Sequence, residues 1–164
     1  MGSGKSTCAK ALASDIGYQY IDLDHCIEEN EGRTVASIFY EFGEPYFREA
    51  EHKALKEILA KKHHDIVIAC GGGVILNELN RQMLREHTTC FFLNVQPAVL
   101  TERLFFQKEN RPLIRDKNRA EMISFIEQEL SRRMTFYKET GVELLLDGHE
   151  DVHTILNKVH QHLH

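Results

Sequence analysis

Apolar and polar positions alternate between two periods along the chain, and the alternation is regular. Cys8, Ala9, Leu12, Ala13 and Ile16 recur at helical spacing, and Gly17 follows where a helix would end. Tyr18 to Asp22 reads as a short strand ending on an acid, with a helical stretch from about Asp24. Thr34 is placed to cap a helix carrying Val35, Ile38, Phe39 and Phe42, which Gly43 closes. Pro45 opens a longer helix with Phe47, Leu55, Ile58 and Leu59. Ile66 to Cys70 is a continuous apolar run, the pattern of a parallel strand covered on both faces, and Gly71-Gly72-Gly73 interrupts it. A helix from Asn77 to about His87, a strand from Cys90 to Leu93 and a helix from Pro97 through Phe105 follow. Gln107 to Asn118 is polar and reads as a loop. A long helix from about Arg119 to Glu139, a strand from Val142 to Leu146 and a helix from Asp151 to His162 complete the chain. Strand and helix in turn, with short links, predict right-handed crossovers and a mainly parallel sheet flanked by helices in three layers.

Composition narrows the class. A length of 164 residues suits one domain, and 42% apolar with 27% charged residues is ordinary for a globular chain. A net charge of −5 argues against nucleic acid or a membrane surface as partner. The chain contains no apolar run near the roughly 18 residues of a membrane helix. Cys8, Cys26, Cys70 and Cys90 are scattered without C-x-x-C spacing, which suits free thiols in a reducing cytoplasm. His63-His64 and the tail His160, His162 and His164 lack carboxylate or cysteine partners at metal-site spacing and read as surface residues.

The chemistry is announced at the head of the chain. Gly2-Ser3-Gly4-Lys5-Ser6-Thr7 is most of a phosphate-binding P-loop. Its glycines let several N–H groups converge on one phosphate cluster, Lys5 suits the β- and γ-phosphates, and the Ser6 hydroxyl suits Mg²⁺. The helix behind it favours the anion at its N-terminus. The first glycine of the full G-x-x-x-x-G-K-[ST] pattern, and the strand leading into it, would stand ahead of Met1. The expectation is therefore a fold whose first, central strand is missing from this chain. Asp22 and Asp24 alternate at a strand end and face one crevice, where they offer a partner for the metal shell and a base for a hydroxyl. Arg48 and Glu51 are helical neighbours, so the carboxylate orients the guanidinium. Gly71-Gly72-Gly73 suggests close approach of a ligand to backbone N–H groups. Arg103, Arg111, Arg132 and Arg133 are candidates for phosphates or an anionic substrate, with Arg132 and Arg133 unable to face one site together.

Taken in order, the P-loop, Asp22-x-Asp24, Phe47-Arg48-x-x-Glu51, Gly71-Gly72-Gly73, Arg111-Pro112-Leu113 and Arg133 four before Tyr137 resemble the shikimate kinase family over nearly the whole chain. The resemblance implies a P-loop kinase fold related to nucleoside monophosphate kinases, with residues 24–55 binding substrate and 107–118 forming a lid. It implies ATP and Mg²⁺ as cofactors, held by the amides of Gly2 to Thr7, by Lys5, and by Ser6 and Asp22 at the metal. It implies Asp24 as the acceptor of the proton from the 3-hydroxyl of shikimate. Arg48, Arg133 and the backbone of Gly71, Gly72 and Gly73 would hold the substrate. Arg111 would meet the transferring phosphoryl group, and Arg103 would stack on adenine. A cytoplasmic monomer is expected. The alternatives are a gluconate kinase or other small-metabolite P-loop kinase, and a non-catalytic nucleotide-binding relic. Family members commonly read R-x-P-L-Y where this chain has Arg133-Met134-Thr135-Phe136-Tyr137, so Arg133 is preferred to Arg132 on its distance from Tyr137.

Overall fold

Side-chain caps set most helix starts where the sequence places them. In the computed structural model, which describes residues 2–61, 65–106 and 114–163, Thr34 Oγ1 accepts from Ser37 N and Asn77 Oδ1 from Leu79 N. Asn118 and Glu121 form a reciprocal capping box, and Asp151 accepts from Thr154 N. The helices are α1 (Lys5–Ile16), α2 (Leu23–Glu31), α3 (Val35–Ala60), α4 (Glu78–His87), α5 (Pro97–Phe105), α6 (Arg119–Thr140) and α7 (Val152–His160). The strands are β1 (Gln19–Asp22), β2 (Ile66–Ala69), β3 (Phe91–Val95) and β4 (Val142–Leu146).

The break expected inside α3 is present. Gly43 leaves helical geometry at φ 79° and ψ 176°, in a region an L side chain avoids, and Pro45 restarts the helix without needing an N–H partner. Strand β3 runs two residues further than its apolar run. Asn94 looks like a stop, but its Nδ2 donates to Glu143 Oε1 at 2.7 Å on the paired strand, which satisfies both polar groups. The last helix ends early, at His160, and tightens into i→i+3 bonds such as His162 N to Val159 O at 2.9 Å. A 3₁₀ turn at Val74–Leu76 has no periodic signature in the sequence.

The strands are parallel, as their unbroken apolar runs predict, and they stand in two pairs. Strand β1 pairs with β2 in the register Gln19↔Ile66 to Asp22↔Ala69. Strand β3 pairs with β4 from Phe91↔Val142 to Val95↔Leu146. Among the described residues no strand bridges β2 and β3. Between them lies a largely apolar slot of about 740 Å³, lined by Val67 and Ile68 on one side and Phe91 and Leu93 on the other.

Each pair has its own core. Leu23, Ile27, Ile38 and Leu55, all at most 1% exposed, pack α2 and α3 beside the first pair. Val95, Leu104, Ile114 and Met122, likewise at most 1% exposed, form the core beside the second. Burying such a side chain contributes about 1.5–3 kcal/mol. Leu12 of α1 joins Leu144, Leu156 and Val159 in a third cluster. Helix α1 also packs on β1 and β2, so it ties the two halves together.

Candidate active site

The P-loop is shaped by two left-handed glycines, Gly2 at φ 74° and Gly4 at φ 85°. Gly4 caps α1, and its carbonyl accepts the first helical bond from Cys8 N at 3.0 Å. The amides of the first turn therefore lack helical acceptors and point out of the helix end, a surface suited to anions. Ser3 is half-buried and Thr7 exposed along this loop. Lys5 Nζ donates to Ser6 Oγ at 3.3 Å, and Ser6 Oγ donates to Asp22 Oδ2 at 3.3 Å. Tyr20, which the sequence reading passed over, donates its phenol to the same Asp22 oxygen at 2.9 Å. Its place two residues before Asp22 on a strand, hence on one face, was the available signal.

Asp22 and Asp24 come together by a different device from simple strand alternation. Asp22 is the last residue of β1 and also the N-cap of α2, accepting from Asp24 N at 3.1 Å. Asp24 lies in the first helical turn, while the intervening Leu23 is fully buried and anchors the corner. Burial pushes the Asp24 carboxyl above its ordinary pKa; Lys5 pulls it down, and Asp22 and Glu28 push it up.

The three glycines after β2 each lie against a different polar side chain. A Cβ added at Gly71 would stand 3.3 Å from Glu51 Oε1 and 3.5 Å from Asp24 Oδ1. One added at Gly72 would stand 3.1 Å from the Tyr137 hydroxyl and 3.6 Å from Arg133 Nη1. One added at Gly73 would stand 2.4 Å from Arg48 Nη2. The triple glycine thus lets α2, α3 and α6 bring their functional side chains onto one stretch of backbone.

Arg48 Nη1 donates to Glu51 Oε2 at 2.9 Å and its Nη2 to Glu44 Oε1 at 2.8 Å. Glu44 is the partner that the i, i+3 reading missed; it sits one turn earlier at i−4. Burial opposes the charge on Arg48, but Glu51 and Glu44 more than offset it, and its pKa stands above the ordinary value. Glu51 is fully buried, and its Oε1 has no hydrogen-bond partner among the described residues. Burial raises its pKa while Arg48 opposes the rise. The two arginines of α6 part company as expected: Arg132 has a side chain 74% exposed, whereas that of Arg133 is 15% exposed. Arg133 pairs with Glu129 and donates to Gly72 O at 3.4 Å.

Arg103 is engaged with main chain. Its guanidinium donates to Gly2 O at 3.0 Å and to Gly148 O, bracing the P-loop against the turn after β4. Arg111 lies outside the described residues, as do Pro112, Leu113, His63, His64 and His164. Of the expected lid, Ile114 is fully buried in the core of the second half, an anchor that the polar composition of this segment conceals. His160 Nε2 lies 2.6 Å from Asp15 Oδ2 on α1.

The comparison with known proteins follows the same order of motifs. The family model described as shikimate kinase matches residues 1–164. The chain belongs to the shikimate kinase family. A shikimate kinase of Bacteroides fragilis is 38% identical over 161 residues, covering 98% of this chain and 89% of that one. A bifunctional shikimate kinase/3-dehydroquinate synthase of Thermotoga maritima is 41% identical over 139 residues, 85% of this chain and 26% of that protein. The crystal structure of shikimate kinase from Bacteroides thetaiotaomicron superposes with a TM-score of 0.90 at 35% identity, covering 99% of this chain and 93% of the other. The Acinetobacter baumannii shikimate kinase in complex with shikimate gives 0.85 at 28% identity, covering 99% and 90%. The fold is that of the P-loop kinases, and the family's cofactors are ATP and Mg²⁺.

The residues present fit those cofactors. The open end of α1, with Gly4 free of neighbours within 4 Å of an added Cβ, leaves room for phosphate against backbone amides. Ser6 and Asp22 supply hard oxygen donors, and a short protein ligand set suits Mg²⁺, which takes most of its shell from water and phosphate. Among the described residues no cluster of three His, Cys, Asp or Glu forms a metal cage.

Proposed function

We propose that the chain transfers the γ-phosphoryl group of ATP to the 3-hydroxyl of shikimate. The observation that supports this reading is the convergence of Asp24, the Arg48–Glu51 pair and Arg133 on Gly71–Gly73. A carboxylate acceptor beside two arginines matches a substrate with ring hydroxyls at one end and a carboxylate at the other. Asp24 takes the proton from the 3-hydroxyl as its oxygen bonds to phosphorus and the bond to the ADP oxygen breaks. Its raised pKa makes it a better proton acceptor than an ordinary aspartate. Arg48 and Arg133 hold the carboxylate, with Gly71, Gly72 and Gly73 lining the ring. Lys5, the amides of Gly2 to Thr7 and Arg111 hold and neutralise the phosphates. Ser6, with Asp22 acting through water, would hold Mg²⁺, which when bound would draw charge from the phosphate oxygens. Arg103 would stack on adenine. Residues 24–55 form the substrate region and 107–118 the lid of a single domain spanning 1–164.

The chain acts as a cytoplasmic monomer, with neither nucleic acid nor membrane as partner; among the described residues no helix is long and apolar enough to cross a bilayer. Coupled measurement of ADP release with shikimate, gluconate and no acceptor tests the reading. Turnover is expected with shikimate and Mg²⁺ only. Turnover with gluconate, or shikimate binding without turnover, would replace it.

A further inference from the structure

Every carbonyl from Gly71 to Leu76 is held by a donor from the protein. Val74 N donates to Gly71 O at 3.1 Å and Leu76 N to Gly73 O at 2.9 Å. Buried Asn80 donates to Val74 O at 3.1 Å and is itself fixed by His52 Nδ1 at 2.7 Å from its Oδ1. Arg81 Nη1 donates to Ile75 O at 2.7 Å and lies 3.3 Å from Leu76 O. The remaining carbonyl, Gly72 O, receives the Tyr137 hydroxyl at 2.6 Å, with Arg133 Nη1 further off at 3.4 Å. The amides are treated differently: Gly72 N–H and Gly73 N–H have no acceptor among the described residues.

The peptide plane connects these facts. Gly72 C=O and Gly73 N–H belong to one planar trans peptide and point in opposite directions. A donor that fixes the carbonyl therefore fixes the amide. Glycine on both sides of that bond gives the plane more freedom to rotate than any other pair would, so it needs an external hold. Tyr137 is suited to give one. Its ring stacks on Phe92 of β3 with centroids 3.9 Å apart and planes 7° apart, so the hydroxyl is delivered from a stiff support. Burial raises the pKa of the phenol, which keeps the donating proton in place.

We propose that Tyr137 is a positioning residue: by holding Gly72 O it aims the Gly73 N–H at the substrate and releases Arg133 for the substrate carboxylate. Without the phenol, Gly72 O has Arg133 as its remaining side-chain donor, and the arginine is drawn onto the loop. The inference rests on the reading of Gly71–Gly73 and Arg133 as substrate residues.

Tyr137→Phe keeps the stacked ring and removes only the hydroxyl. Calorimetric titration of shikimate into the full chain with Mg-ADP, beside nucleotide titration and a thermal melt, separates the possibilities. The expected result is shikimate affinity about tenfold weaker, near the value of one lost hydrogen bond, with nucleotide affinity unchanged and the melting temperature lowered by no more than a few degrees. In turnover the KM for shikimate rises and kcat holds. Unchanged shikimate affinity, or equal losses for shikimate and nucleotide, would overturn the proposal. No shikimate binding by the unaltered chain would instead overturn the functional reading, and the proposal with it.

Discussion

Gly73 exists where it does because of Arg48. The backbone of Gly73 is in an ordinary helical conformation, φ −97° and ψ −7°, which any residue adopts. The constraint is the guanidinium, whose Nη1, Nη2 and Cζ would lie 2.5, 2.4 and 2.6 Å from an added Cβ. Two glutamates hold that guanidinium, so it cannot swing aside without breaking ion pairs. Gly73→Ala is expected to leave the fold intact and displace the arginine. Shikimate KM should rise by more than tenfold while ATP KM stays level in initial-rate kinetics. Equal KM values for shikimate in the two proteins would show that the guanidinium moves at no cost to binding.

Arg48→Lys isolates geometry from charge. Lysine keeps the cation and loses the planar fork that joins Glu51 and Glu44. Shikimate binding should weaken by about 1.5–3 kcal/mol, the range for hydrogen bonds to charged groups, with nucleotide binding unaltered by calorimetry. A loss on the nucleotide side would move Arg48 to the other subsite.

Asp24→Asn should separate activity from stability. Loss of the proton acceptor is expected to lower kcat by roughly 10²-fold or more. In the native protein the folded carboxyl has a raised pKa, so between the ordinary carboxylate range near 4 and that raised value the folded state binds more protons than the unfolded one. Stability contributed by Asp24 is therefore full below its unfolded pKa and is lost as pH rises through the folded value. The asparagine variant should melt higher than the parent at neutral pH, with the advantage shrinking on acidification. The acid limb of kcat/KM in the parent should lie above the ordinary carboxylate range. A variant that melts lower at neutral pH would refute the electrostatic argument.

The frame was legible because it depends on local signals. Thr34, Asn77, Asn118 and Asp151 cap where they stand, and Ile66–Ala69 forms the parallel strand that its continuous apolar run predicts. Of the candidate site, the acids, arginines and glycines that gather around Gly71–Gly73 stand out in the sequence by residue type and spacing. Other parts depend on contacts that no spacing encodes. Asn94 pairs with Glu143 across 49 residues of chain and so extends a strand its polarity should end. Tyr137 meets Gly72 across 65 residues, and nothing in a tyrosine on a helix face announces a carbonyl partner. The reason for Gly73 is an arginine on another element, so the sequence displays the glycine and conceals its cause.

The slot between β2 and β3 has a mechanical consequence. A parallel strand sends alternate amides to either side, so half the N–H groups in each of these strands face the slot rather than a partner strand. Strands deep in such a fold usually resist deuterium exchange until the whole molecule opens. Here β2 and β3 should show a split pattern: alternate amides protected by β1 or β4, their neighbours exchanging orders of magnitude faster. Uniform protection along both strands, read residue by residue, would contradict it. The two ribbons are joined through side chains and through α1, which grows out of the P-loop. Helix α1 packs on β1 and β2 of one half and on α7 of the other, so the candidate phosphate loop at its head stands where the two halves meet.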